Sequence, residues 1–194
     1  INAPTNQDAH DISAAVRLER RKLGLVGDDR MTVRATDGAR NYDLALAQGD
    51  RVRLFRSTGA TYENGRGGPI GRNGSVLEVM DANAAGLTLR NSDGKVGTVT
   101  WSKLTLNGRI NLAYGDATTI HTAQGSSRGE QITAFPDGAG RVIGQVSYSA
   151  LTRHMHVSHL VTSEQAERIA VQTSRAINDA REITAADKWA NVAK

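Results

Sequence analysis

The chain contains no cysteine. Disulfides and thiolate metal sites are therefore excluded, and nothing calls for an oxidising compartment, so the cytoplasm is the expected location. Aromatic residues make up only 4% of the 194 residues. A core must then rest on Val, Ile, Leu and Ala, and base stacking is not expected to be the main grip on any nucleic acid. No apolar run reaches the ~18 residues that a membrane-spanning helix needs, so membrane insertion is not expected. The opening residues Ile1-Asn2-Ala3-Pro4 show neither Met nor a basic-then-apolar leader, and the chain is expected to be a piece excised from a longer one. One further absence bears on chemistry: no Gly-x-x-x-x-Gly-Lys-Ser/Thr loop exists to cradle a phosphate chain, and Lys22, Lys95, Lys103, Lys188 and Lys194 all lack that setting.

What is present is a mild basic excess, net charge +4 with pI near 9.7, compatible with a polyanionic partner. The excess is uneven: between Arg17 and Arg56 ten Arg/Lys face six Asp/Glu. The length fits one large domain or two small ones.

Along the chain, Ile1 to Ala3 reads as the end of a strand, followed by a turn at Pro4-Thr5-Asn6 in which Thr5 or Asn6 can cap a helix. Ala9, Ile12, Val16 and Leu23 fall at helical spacing, and Gly24 and Gly27 end that helix. Thr32 to Ala35 is a strand candidate. From Tyr42 to Leu106 the texture becomes short strands and turns, with strands over 51–55, 75–79, 87–89 and 96–101 and a hairpin signal at Asp93-Gly94. That stretch predicts a small barrel with Trp101 closing its core. The Gly-rich run from Gly65 to Gly74 lacks a phosphate-loop lysine and is expected to be a flexible loop carrying Arg66 and Arg72. Ala117–Ala123 reads as strand then helix. Segments 142–148 and 158–161 read as strand or helix, Glu164 to Asn178 as an amphipathic helix, and the tail from Ala180 as polar and loosely held. The simplest account is one α/β domain interrupted by an inserted barrel.

Five short motifs occur in one order: Ala3-Pro4-Thr5-Asn6, Gly49-Asp50-Arg51-Val52, Asn73-Gly74-Ser75-Val76, Thr119-Ile120-His121-Thr122-Ala123-Gln124-Gly125-Ser126, and Ser149-Ala150-Leu151-Thr152-Arg153. That order resembles the C-terminal half of superfamily 1B DNA helicases, the RecD- and Pif1-like group, and is most similar to the helicase region of conjugative relaxases, to which residues 181–192 are also similar. The resemblance covers nearly the whole chain. It implies a second RecA-like helicase domain (residues 1–36 and 109–165) interrupted by a small SH3-like β-barrel (37–108), with a C-terminal helix and polar tail (166–194). It implies a bacterial cytoplasmic protein whose ATP and Mg are held only in the intact parent, beside a missing N-terminal RecA-like domain; the fragment alone is expected to hold no cofactor and to be inactive.

Under that resemblance Arg153 is the catalytic arginine finger, its planar fork supplying positive charge to a transferring phosphoryl group; otherwise it is a surface ion-pair residue. Gln124 and Gly125 resemble the segment that couples ATP to DNA; otherwise they form a turn. Thr5, Asn6, Thr118, Thr119 and His121 resemble positions that hold single-stranded DNA by its phosphates, with short donors suited to sequence-blind contacts. Arg66 and Arg72 are available to touch a DNA backbone. His154, His156 and His159 lie close together, but without cysteine or a matching carboxylate they read as surface or strand histidines, and no metal site is expected. The partners implied are single-stranded DNA and components of a conjugative secretion machinery. The alternative function is an interaction module recognised by that machinery.

Overall fold

A computed structural model describes residues 1–122, 128–141 and 154–193. The expected sites Gln124, Gly125 and Arg153, and the segment 142–148, lie outside the described residues. The N-terminal part comprises β1 (Asn2–Ala3) and α1 (Asn6–Lys22). Strands follow as β2 (Asp29–Thr36), β3 (Asn41–Ala47), β4 (Arg51–Leu54), β5 (Thr58–Tyr62), β6 (Gly67–Gly71), β7 (Val76–Asn83), β8 (Gly86–Arg90) and β9 (Val96–Thr100). A short helix α2 (Trp101–Leu104) leads to β10 (Thr105–Leu106), β11 (Arg109–Ile110), β12 (Leu112–Tyr114) and β13 (Thr118–Thr119). The C-terminal part holds β14 (Arg128–Phe135), a 3-10 turn (Ala139–Arg141), β15 (His154–Thr162), α3 (Glu164–Ser174) and α4 (Ala185–Val192).

Two compact units divide the chain. Residues 1–9 and 117–194 form the first and residues 10–116 the second. The first unit is α/β. Its sheet has the order β13-β1-β14-β15, with every pairing parallel. Asn2 pairs with Thr118 on one side and with Thr133 on the other, so the beginning of the chain is an inner strand between segments more than a hundred residues away. Among its described residues Ile120 and Phe135 form a buried apolar cluster, with Ala139 and Leu160 packed against them.

The second unit is antiparallel in its main sheet, ordered β12-β4-β7-β8-β9-β5-β6, beside a smaller sheet β10-β11-β2-β3. The seven-stranded ladder is open, because β12 and β6 are edges that do not pair with each other. Fifteen buried apolar residues join the two sheets into one core, Leu44, Leu46, Val52, Leu77, Leu89 and Leu112 among them. Tyr42 and Tyr114 fasten the sheets by donating to the carbonyls of Leu112 and Ala45, each at 2.7 Å.

Three expectations are corrected. The Gly-rich run is not one flexible loop, because Gly67–Gly71 is a strand paired with β5. The tail is not loosely held, because residues 185–192 form a helix whose N-terminus carries a reciprocal Thr184–Asp187 capping box. Residues 120–122 form a turn after β13 rather than the start of a helix. In addition β14, to which the sequence reading assigned no strand, is an eight-residue inner strand. Trp101 packs against the core from its rim, half-buried, with its indole N–H on the carbonyl of Asn83 at 2.9 Å.

Candidate nucleic-acid interface

In an open parallel sheet, ligands sit beyond the carboxyl ends of the strands. The first unit brings two of the sequence motifs to that place. β1 leads directly into Pro4-Thr5-Asn6 and the N-terminus of α1, and the adjacent β13 leads into Ile120-His121-Thr122. The two exits are tied together by the Ile120 N–H, which donates to the Ala3 carbonyl at 3.0 Å. Thr5, Asn6, Thr119 and His121 therefore gather at one edge.

Their side chains are not equally available. The Thr5 hydroxyl donates to Asp8 Oδ2 at 2.7 Å and accepts the Asp8 N–H at 3.1 Å, while the Thr5 N–H donates to the same carboxylate oxygen at 3.1 Å. This reciprocal cap fixes the first turn of α1 and commits the Thr5 proton. Thr119 is 7% exposed, and its hydroxyl lies 2.8 Å from that of Thr122 and accepts the Thr122 N–H. It shapes the turn rather than facing solvent. Thr118 and Thr119 are neighbours on a strand and project to opposite faces. Thr5, Asn6, His121 and Thr122 are exposed at this edge, with the Thr5 hydroxyl engaged by Asp8 and the Thr122 hydroxyl by Thr119. The sequence reading did not single out Asp8 or Thr122 as site residues. The Thr-x-x-Asp spacing from Thr5 to Asp8 was the signal for the cap.

Arg66 and Arg72 belong to the second unit and do not form one patch. Both are exposed, but β6 separates them, and six residues of extended chain span about 20 Å. Arg66 lies in the β5–β6 turn and Arg72 in the β6–β7 turn, whose shape is set by Gly74 at φ 83° and by the Arg72 N–H on the Ser75 hydroxyl at 3.0 Å.

The basic excess between residues 17 and 56 is largely consumed internally. Six of those ten cations, Arg17, Arg20, Arg21, Lys22, Arg40 and Arg51, pair with carboxylates. Arg53 is buried, with its guanidinium 4.7 Å from the Phe55 ring centroid. Arg17 makes the tightest of these pairings. Its Nε and terminal nitrogen reach the two oxygens of Asp50 at 2.7 and 3.0 Å, a second contact goes to Asp29 at 2.5 Å, and the group lies 5.1 Å from the centroid of Tyr114. Burial alone would lower the Arg17 pKa, but these acceptors hold it above its ordinary value. Burial pushes the Tyr114 hydroxyl up to about 12, with Arg17 opposing. The Gly49-Asp50-Arg51-Val52 motif is thereby explained as architecture. Gly49 has φ 88° and a Cβ there would lie 2.2 Å from the Leu25 carbonyl oxygen, Asp50 clamps Arg17, Arg51 pairs with Asp116, and Val52 enters the core.

At the carboxyl ends of β14 and β15 one buried carboxylate organises the chain. Glu167, 1% exposed, accepts from the Thr162 hydroxyl at 2.6 Å and the Ala139 N–H at 2.7 Å through Oε1, and from the Asn191 amide at 2.6 Å through Oε2. Burial raises its pKa, and the three donors outweigh burial and hold it below the ordinary carboxylate value. The sequence reading placed Glu167 on a polar helix and gave it no role.

The sequence has no phosphate loop, and no group of three His, Asp or Glu side chains gathers to hold a metal among the described residues. None of the described helices is long and apolar enough to cross a membrane.

No family model and no curated protein sequence matches the chain. Solved structures do match. A structure of two coordinating Pif1 helicases at forked double-stranded DNA is 19% identical with a TM-score of 0.51, over 90% of this chain and 42% of that one. Pif1 helicase from Bacteroides in complex with ADP-AlF3 and single-stranded DNA is 19% identical with a TM-score of 0.53, over 84% and 39%. Pif1 helicase from Candida albicans is 12% identical with a TM-score of 0.51, over 89% and 49%. At these identities the likeness is one of fold: this chain has the mixed α/β architecture and parallel sheet found in part of Pif1 helicases. It spans less than half the length of each.

Proposed function

We propose that this chain is part of an ATP-dependent DNA helicase of the superfamily 1B kind and contributes contacts to the backbone of single-stranded DNA. The observation that carries the reading is the carboxyl edge of β1 and β13. There the exposed Asn6 follows β1, and the exposed His121 and Thr122 follow the adjacent parallel strand β13. Short amide, imidazole and hydroxyl donors suit phosphate contacts that ignore sequence. Two of the structural neighbours are DNA-helicase structures described with DNA, one of them single-stranded. In this reading ATP and Mg are bound by a first RecA-like domain outside the chain, which Gln124, Gly125 and Arg153 serve, with Arg153 as the arginine finger. The second unit takes the place of an SH3-like insert. The finer assignment, the helicase region of a conjugative relaxase with secretion components as partners, rests on the sequence likeness of residues 181–192.

Fluorescence anisotropy of a labelled oligothymidine tests the DNA contact. Binding should weaken as salt rises, with a slope of about −2 in log K against log salt if about three phosphates are neutralised. Asn6→Ala with His121→Ala should weaken it further, and Arg66→Ala with Arg72→Ala should change the slope independently. No binding at low salt, or equal affinity for a duplex of the same length, would remove the proposed interface.

A further inference from the structure

Helix α4 is built inside out. A surface helix ordinarily docks through an apolar stripe and shows its polar face to water. Here Asp187, Lys188 and Asn191 face inward, half-buried with Val192, while Ala185, Ala186, Trp189 and Ala190 face outward, with Trp189 55% exposed. No residue of the helix is fully buried. Three charged or polar contacts tie it to the α3 segment: Lys188 Nζ to Glu164 at 2.5 Å, the Arg175 guanidinium to Asp187 at 3.1 Å, and the Asn191 amide to Glu167 Oε2 at 2.6 Å. An eight-residue helix does not persist in water unaided, so α4 depends on its docking against α3 and the 3-10 turn. Ion pairs of this exposure weaken when salt screens them.

The two oxygens of Glu167 make release of α4 separable from unfolding. Oε1 holds Thr162 at the end of β15 and Ala139 in the 3-10 turn, whereas Oε2 receives Asn191 from α4. Undocking removes the second contact and leaves the first two. We infer that α4 is a releasable strap, docked on α3 through its polar face at low ionic strength and undocked as ionic strength rises, while the β14–β15 sheet and α3 stay folded. Release bares a carboxylate oxygen on a side chain that lines the groove of about 530 Å³ between residues 136–140 and α3.

Hydrogen exchange of the whole chain, read by mass spectrometry, tests the strap. Amides over 185–193 should exchange about tenfold faster in about 1 M NaCl than in about 0.05 M, with those of 156–162 unchanged. Asn191→Asp sets a second carboxylate against Glu167 and should give the fast exchange already at low salt. Adding Glu167→Gln should restore slow exchange, because the new amide can donate to Asp. Lys188→Gln leaves Glu167 untouched and should shift exchange in the same direction as salt. Protection over 185–193 that ignores salt, that is lost only together with 156–162, or that the paired variant fails to restore would overturn the inference.

Discussion

Replacing Arg17 with alanine strands the Asp50 carboxylate, which is 1% exposed and whose other contact is the Ala47 N–H at 2.8 Å. A buried charge left without its partner costs about 3–5 kcal/mol. Urea unfolding of Arg17→Ala should therefore show a loss of that size, and Arg17→Lys should recover only part of it, since an ammonium cannot span both Asp50 oxygens and Asp29 as the guanidinium fork does. A loss below about 1 kcal/mol would mean that Asp50 finds another cation. At this scale the sequence was least readable. The basic run from Arg17 to Arg56 looked like a surface for a polyanion, because pairs such as Arg17 with Asp50, 33 residues apart, leave no local trace. His121 is partly the converse: the strand before it was legible in 117–123, but the helix expected there is a turn, in which His121 is exposed.

Among the elements, those with local signals were legible. The α1 helix ends where Gly24 takes φ 72°, the β8–β9 hairpin turns at Gly94 with φ 80°, and Ser163 caps α3 by accepting the Ala166 N–H. β6 was not legible, because its glycines suggested flexibility whereas Gly68 and Gly71 answer to crowding. A Cβ on Gly68 would lie 2.6 Å from the Tyr62 ring, and the Tyr62 hydroxyl anchors that ring on the Pro69 carbonyl at 2.6 Å. Gly67 has nothing within 4 Å. Gly68→Ala should thus cost about 1–3 kcal/mol while Gly67→Ala stays within about 0.5 kcal/mol, measured by thermal or urea unfolding. Equal effects would refute the crowding explanation. β14 escaped because its inward face carries Gln131 and Thr133, which read as polar but satisfy each other, the amide donating to the hydroxyl at 2.9 Å. For α4 the tail read as loosely held, because the signal of the Thr184-x-x-Asp187 cap went unused and its ion pairs to α3 leave no local trace.

For the whole molecule, the two units differ in continuity and in core. Residues 10–116 are one uninterrupted stretch around fifteen buried apolar residues, whereas the apolar cluster of the other unit has two buried members among the described residues. A chain of residues 10–116 should therefore fold alone with a single cooperative transition, while residues 117–194 without 1–9 should lose the inner strand of their sheet and its protection from exchange. Calorimetry on both pieces checks this. An unfolded 10–116 would show that its core depends on the other unit. The inner position of β1 has one more consequence, for the chain as it leaves the ribosome. Residues 2 and 3 are made before their partners Thr118 and Thr133 by more than a hundred residues. Residues 10–116 can meanwhile complete their own sheets. Of the four strands in this sheet, the one made before the others is then paired late, and the intervening unit, once folded, shortens the flexible loop that this late pairing must close.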